Sequence, residues 1–209
     1  VREKIALEPI LGVIEKPIIF ELGAHFGIST GRIKTLAPNS IYYAFEPDIR
    51  NLKILWSLYT SNHVNIISKA VGKVDGKVKF WQSGGTNKSG RLHTDSSSIK
   101  KPVAHEKMFP WMTFQETEVE CVRLDTFCAA KGVTHIDLIW SDVQGAELDV
   151  IEGGQETFKR TRWFYTEHMN NPRYEGQPNL GQIIEALPGN WRIDTKWEMD
   201  ALLENVDYA

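Results

Sequence analysis

The segment Phe20–Gly31, FELGAHFGISTG, constrains this chain more than any other. It grows out of the apolar run PIIFELGA, which begins at Pro17, breaks at Gly23 and leads into a segment suited to a helix running to about Ala37. A short, continuous apolar run of this kind predicts a strand buried on both faces, as strands of parallel sheets are. Ser29 and Thr30 are the expected helix caps and Pro38-Asn39 the stop. Gly23 and Gly27 let the backbone turn tightly and come close to a ligand. The start of the helix then turns free N–H groups and a positive dipole end toward an anion.

The pattern repeats downstream. Ser40–Phe45 (SIYYAF) reads as a second strand closed by Glu46-Pro47-Asp48, and Asp48 is placed to cap a helix with Leu52, Leu55, Trp56 and Tyr59 on one face. Val64–Ala70 reads as a third strand. Strand and helix alternating at this spacing predict a doubly wound parallel sheet. Asp75-Gly76 and the alternating KVKFW suggest an added strand, after which periodicity disappears from about 82 to 118. That stretch is expected to be an irregular, lid-like insertion in a single domain covering residues 1–209. Further on, HIDLIW and TRWFYTEH read as parallel strands, and GAELDVIEGGQETFK as a helix weakened by Gly153-Gly154. A helix over Leu180–Ala186 and two closing strands, NWRIDTKW and DALLENV, complete the pattern. The expected architecture is Rossmann-like: three α/β/α layers around a mostly parallel seven-stranded sheet with an antiparallel C-terminal strand.

In such a sheet ligands bind at the carboxyl ends of the strands, where strand order reverses. A dinucleotide loop would read G-x-G-x-x-G, but here His25 replaces the middle glycine and Glu21 precedes the loop. A carboxylate there would repel a pyrophosphate. It suits the cationic amino group of a methionyl tail whose carboxylate sits at the helix end, as S-adenosylmethionine (SAM) would offer. Glu46, 23 positions after Gly23, stands where a carboxylate accepts ribose hydroxyls. His25 could contact the ligand or simply occupy a permissive loop position.

Composition narrows the partners. With 24 basic against 27 acidic side chains, the net charge of -3 speaks against a broad nucleic-acid footprint. Two cysteines, Cys121 and Cys128, give neither a disulfide framework nor metal-ligand spacing, and read as buried apolar groups in a reducing, cytoplasmic setting. No apolar run approaches the ~18 residues of a membrane span.

The downstream segment VRLDTFCAAKGVTHIDLIWSDVQGAELDVIEGG resembles the hallmark of the FkbM-type methyltransferases: an LD pair, a strand ending in Asp and a (D)V(E/Q)GxE turn into a helix ending in Gly. The matching residues are Leu124-Asp125, Asp137, Asp142, Gly145, Glu147 and Gly153. The stretches ELGAHFG, AFEP, AVGKVDGKVKF and DSSSI agree in the same order, so the resemblance covers about Ile18 to His168. It implies a class I methyltransferase fold, SAM as cofactor, and a hydroxyl acceptor on a sugar or sugar-bearing small molecule or glycan. Through these stretches Ala24, Pro47, Ala70 and Asp142 join Glu21, Gly23, His25, Gly27 and Glu46 as expected cofactor-binding residues. Trp140-Ser141 and Gln144 depart from the family, which often has Lys, an apolar residue and Glu there.

Methyl transfer to an alcohol calls for a base. Asp142, Glu167 and His168 end strands expected to be neighbours, so they are the candidate catalytic residues, either acting directly on the acceptor or holding a divalent cation that does so. Asp142 could instead cap the next helix, and Glu167 and His168 could form a strand-end pair. Arg91, His93, Lys100, Lys101, His105 and Lys107 make the insertion locally basic and suggest an anionic acceptor, unless it is only a solvated loop. Phe109, Trp111 and Phe114 could stack on a sugar or fasten the lid. The competing readings are a noncatalytic SAM-binding or partner-binding module and an NAD-dependent oxidoreductase.

Overall fold

Ile18–Leu22 (β1) is buried on both faces, and that burial places it at the centre of the sheet. A computed structural model describes residues 2–59, 63–86, 90 and 92–208. Before β1 runs α1 (Arg2–Leu11); after it come α2 (Ile28–Leu36), β2 (Ile41–Phe45), α3 (Ile49–Tyr59), β3 (Val64–Ile67), β4 (Ala70–Val71) and β5 (Gly76–Gly84). The middle holds α4 (His105–Met108), β6 (Thr113–Val122), α5 (Leu124–Lys131), β7 (Ile136–Ser141), α6 (Glu147–Glu152) and α7 (Gln155–Lys159). The chain closes with β8 (Thr161–Glu167), α8 (Leu180–Ala186), β9 (Trp191–Lys196) and β10 (Asp200–Asn205).

Seven strands form one sheet in the order β3-β2-β1-β7-β8-β10-β9. Pairing is parallel from β3 to β8, and β10 runs antiparallel to both its neighbours. Strand order reverses between β1 and β7, so the crevice at their carboxyl ends is where a ligand belongs. The two faces carry separate apolar layers. Ile19, Tyr42, Ala44, Leu138 and Leu202 pack with Leu7 and Leu11 of α1, Ile33 of α2 and Leu55 of α3. Phe20, Leu22, Phe45 and Ile139 pack with side chains of α5, α6, α7 and α8 on the opposite face. This is the three-layer class I methyltransferase architecture expected from the sequence. No helix among the described residues is long and apolar enough to cross a membrane.

Several local expectations change. The third strand stops at Ile67, and Ala70–Val71 joins a second sheet, β4-β6-β5. The irregular stretch is shorter than its sequence suggests: β5 continues to Gly84 and β6 starts at Thr113. The outer half of β6 is largely exposed, so its polar residues show no amphipathic signal. The expected long helix is two, α6 and α7, parted at Gly153-Gly154. A side chain at Gly153 would run into the Gly72 carbonyl, so the break lets α6 lie against the second sheet. Helix α1 has no counterpart in the sequence reading, because Pro9 inside it masks the pattern. Trp56, expected on the buried face of α3, is 39% exposed.

Candidate active site

The loop after β1 is shaped by three residues with positive φ, Gly23 (83°), His25 (50°) and Gly27 (82°). The N–H groups of Gly23 and Ala24 both donate to the Phe45 carbonyl at 2.9 Å, which ties the loop to the end of β2. Gly23 must be glycine, because a Cβ there would run into the Asp142 carbonyl oxygen at the end of β7. These close approaches leave a cleft between the ends of β1, β2 and β7, roofed by the insertion.

Of the residues singled out from sequence, Gly23, His25, Glu46, Pro47, Ala70 and Asp142 line this cleft. Glu46 is 5% exposed; its Oε2 accepts the His25 N–H and its Oε1 the Asp48 N–H, both at 2.8 Å. Burial pushes its carboxyl up to about 7 against those two bonds. Asp142 is pushed up to about 6, by burial first and by Asp200 and Asp95 next, while a hydrogen bond from Gln144 pulls the other way.

Five expected site residues lie elsewhere. Strand alternation puts Glu21 beside Ile19, on the α1/α2 face, where its Oε2 accepts from Thr30 Oγ1 at 2.5 Å and Tyr42 Oη at 3.0 Å. Glu21 therefore pins α2 to the sheet and is not positioned to meet a methionyl amine. Thr30, expected to cap α2, is the buried donor in that tie; the cap position is Gly27 in a left-handed conformation, with no side-chain bond. Gly27 makes room for the Tyr59 ring, whose hydroxyl donates to the Gly27 carbonyl at 2.6 Å, and Ala24 is buried in the core beneath. His168 is 3% exposed and neither of its ring nitrogens has a hydrogen-bond partner. Glu167 reaches Asp142 only through an intermediary, Gln144.

That glutamine is the residue the sequence undervalued. Its Nε2 donates to Asp142 Oδ1 at 2.5 Å and to Glu167 Oε2 at 3.1 Å, and its Oε1 accepts from Tyr174 Oη at 3.0 Å. An amide N–H₂ between two carboxyls thus stands where a shared cation would have to sit. Among the described residues no three His, Cys, Asp or Glu side chains group to hold a metal ion. The cation set Asp142, Glu167 and His168 is not assembled, because His168 lies apart from the other two. Tyr174 also donates to the Ser96 carbonyl at 2.8 Å, and Ser98 Oγ to the Gln144 carbonyl at 2.7 Å. His25 Nε2 bonds Thr94 Oγ1 at 2.8 Å, so the roof segment is held from both sides of the cleft.

The described basic side chains of the insertion do not face inward. Lys100 pairs with Asp149 at 2.8 Å and His93 with Asp95 at 3.0 Å. His105 is buried against Phe114 and Tyr174, and burial lowers its pKa. Lys101 and Lys107 are exposed, and Arg91 lies outside the described residues. The aromatic residues fasten the insertion: Trp111 packs on His93 and Phe109, and Phe114 on His105. The cleft instead presents Glu46, Asp95 and Asp142 against Lys69, a surplus of carboxylate suited to a cationic ligand. Asn51, Lys69 and Thr94 line it without having been marked in the sequence, since nothing in their local pattern separates them from surface polar residues.

Buried carboxyls of this kind leave a signature in stability. Burial is the main cause holding Glu21, Glu46 and Glu147 each near 7, against an ordinary 4.5. The folded state keeps these protons longer than the unfolded chain, so the stabilisation is present at low pH and lost as pH rises through about 7. His105 and His168, lowered by burial, act in the opposite sense below their ordinary 6.5. From pH 8 down to 6.5 the ligand-free protein should gain on the order of 2 kcal/mol, a rise of several degrees in Tm. A calorimetric scan series in which Tm instead climbed toward pH 8 would show these carboxyls to be ionised in the fold.

Known proteins resemble this chain in sequence and in fold. A family model described as the methyltransferase FkbM domain matches residues 21–197. The 2-O-methyltransferase NoeI of Sinorhizobium fredii (strain NBRC 101917 / NGR234) is 36% identical over 183 residues, covering 86% of this chain and 75% of that protein. Among solved structures, the methyltransferase FkbM of Methylobacillus flagellatus KT matches with a TM-score of 0.52 at 13% identity. The match covers 92% of this chain but only 44% of that one, so this chain spans less than half of its length. A Clostridium thermocellum structure provisionally named an rRNA-methylase gives 0.56 at 7% identity, covering 100% of this chain and 96% of its own. The two structural likenesses speak to the fold.

Proposed function

The chain belongs to the methyltransferase FkbM family and is a SAM-dependent methyltransferase; on that premise we propose that it methylates a hydroxyl of a sugar, with Asp142 as the base. The observation that carries this reading is the pair of carboxyls, the buried Glu46 and the partly buried Asp142, at the ends of β2 and β7 on one cleft. SAM supplies a methyl group on a sulfonium sulfur, open to in-line displacement by an oxygen nucleophile. The protein's residues fit that donor: the carboxylate surplus complements a cation, and Glu46 stands where ribose hydroxyls can be accepted.

The other half of the chemistry concerns the acceptor proton. An alcohol attacks well only if a base takes that proton during attack, and Asp142, held near 6, is an unprotonated base at neutral pH. Gln144 fixes its orientation, held in turn by Tyr174. Burial first, and the neighbouring Asp142 second, push Glu167 well above the usual carboxylate range. The hydrogen bonds from Tyr174 and Ser98 link this base to the roof, so excluding water and orienting the base belong to one arrangement. The hydroxyls of Thr94 and Ser97 and the outward-turned cations favour an uncharged sugar over an anionic one.

Glu46→Gln tests the donor side. The amide would set an N–H₂ against the N–H of either His25 or Asp48, and SAM affinity should fall about 10- to 100-fold in a calorimetric titration. Affinity within twofold of wild type would remove Glu46 from the donor site.

A further inference from the structure

Asn51 lies in the first turn of α3, is 2% exposed, and lines the cleft beside Glu46. Its Nδ2 donates to Glu46 Oε1 at 3.3 Å, but its Oδ1 has no hydrogen-bond partner. The opposite amide orientation would set two acceptor oxygens against each other, so the open atom is an acceptor. Buried polar atoms are nearly always satisfied, and an open acceptor on a ligand cleft marks a place for a donor carried by the ligand. Glu46, meanwhile, already takes three N–H bonds from the protein, from His25, Asp48 and Asn51. Its remaining capacity is poorly matched to two further hydroxyls. Two acceptors held side by side fit donors on adjacent carbons, which is the geometry of a vicinal diol.

We propose that Asn51 and Glu46 divide the ribose diol of the donor nucleoside between them, Asn51 Oδ1 accepting from one hydroxyl and Glu46 from the other. The proposal rests on the reading that SAM occupies this cleft. It makes Asn51 a second recognition residue for the ribose and gives the orphaned oxygen a partner on binding.

The test is calorimetric titration of the whole protein with S-adenosylhomocysteine, its 2′-deoxy and 3′-deoxy analogues, and its inosine counterpart. Wild type should bind each deoxy analogue about tenfold more weakly than the parent, because each removes a donor from a buried acceptor. In Asn51→Leu one of the two penalties should collapse to within about threefold, and in Glu46→Gln the other should shrink. A deoxy analogue that binds wild type as tightly as the parent overturns the proposal, as does Asn51→Leu keeping both penalties in full. Loss in Asn51→Leu of discrimination against the inosine analogue alone would assign Asn51 to the base and also overturn it. If Asn51→Leu does not fold, Asn51→Ala is read in the same way, and the wild-type comparison decides on its own whether both hydroxyls count. Failure of wild type to bind either SAM or S-adenosylhomocysteine would instead remove the cleft assignment itself.

Discussion

Asp142→Asn should lower methyl transfer about 10²- to 10⁴-fold while leaving SAM affinity within a few-fold of wild type. The substitution keeps the size of the side chain, and its amide oxygen can still accept from Gln144 Nε2, so the network and the fold persist. What it removes is the ability to take a proton. The wild-type rate should accordingly rise with pH and level off above about 6, the value at which Asp142 gives up its proton. A rate that fell across the same range would require Asp142 to act as an acid. Near-normal turnover by the variant, with circular dichroism unchanged, would take Asp142 out of the chemistry and leave it a structural partner of Gln144.

Gly23→Ala should be among the most damaging single methyl groups in the protein. Two costs combine. The residue sits at φ 83°, a conformation that costs an L side chain about 1–2 kcal/mol. The new methyl would also run into the Asp142 carbonyl, a backbone atom that cannot rotate away. Relief requires β1 and β7 to part at their carboxyl ends, so a loss of about 3 kcal/mol or more is expected, on the order of 10 °C in Tm. SAM binding should disappear with it, because the same shift displaces the Asp142 backbone and the loop that bonds Glu46. Gly132→Ala is the control: its φ is also positive, but a methyl group there meets nothing within 4 Å. If the two variants melted together, the left-handed backbone alone would account for the loss, and the close β1–β7 contact would carry no weight.

The legibility of the site followed how locally each feature is encoded. Strands β1 and β7 are buried on both faces, so their sequences are predominantly apolar and the parallel core could be read directly. The capping pair Asn179 and Gln182 marks the start of α8, and the Leu180–Ala186 helix appears where the sequence placed it. Glu46 was visible because a strand end at a fixed offset from a glycine turn is a local feature. Glu21 was misjudged for a different reason. The alternation that turns it away from the cleft is present in the sequence, but which sheet face the cleft opens on depends on helices and strands far along the chain. Gln144 looked like a lost glutamate because its function exists only once Glu167 and Tyr174, 23 and 30 positions downstream, close around it. His168 shows the converse: it follows the last residue of β8, and adjacency to Glu167 in sequence does not bring it into a shared site.

Incubation with SAM carrying a deuterated methyl group, together with a pool of neutral glycosides and oligosaccharides, tests the central claim most directly. Mass spectrometry should find one labelled methyl on a sugar ring hydroxyl, stable to mild alkali as an ether is and an ester is not. The labelled product should form at least about 100-fold more slowly with Asp142→Asn. Label confined to alkali-labile carboxyl esters, or to no sugar at all while SAM binds normally, would contradict sugar O-methylation by this cleft.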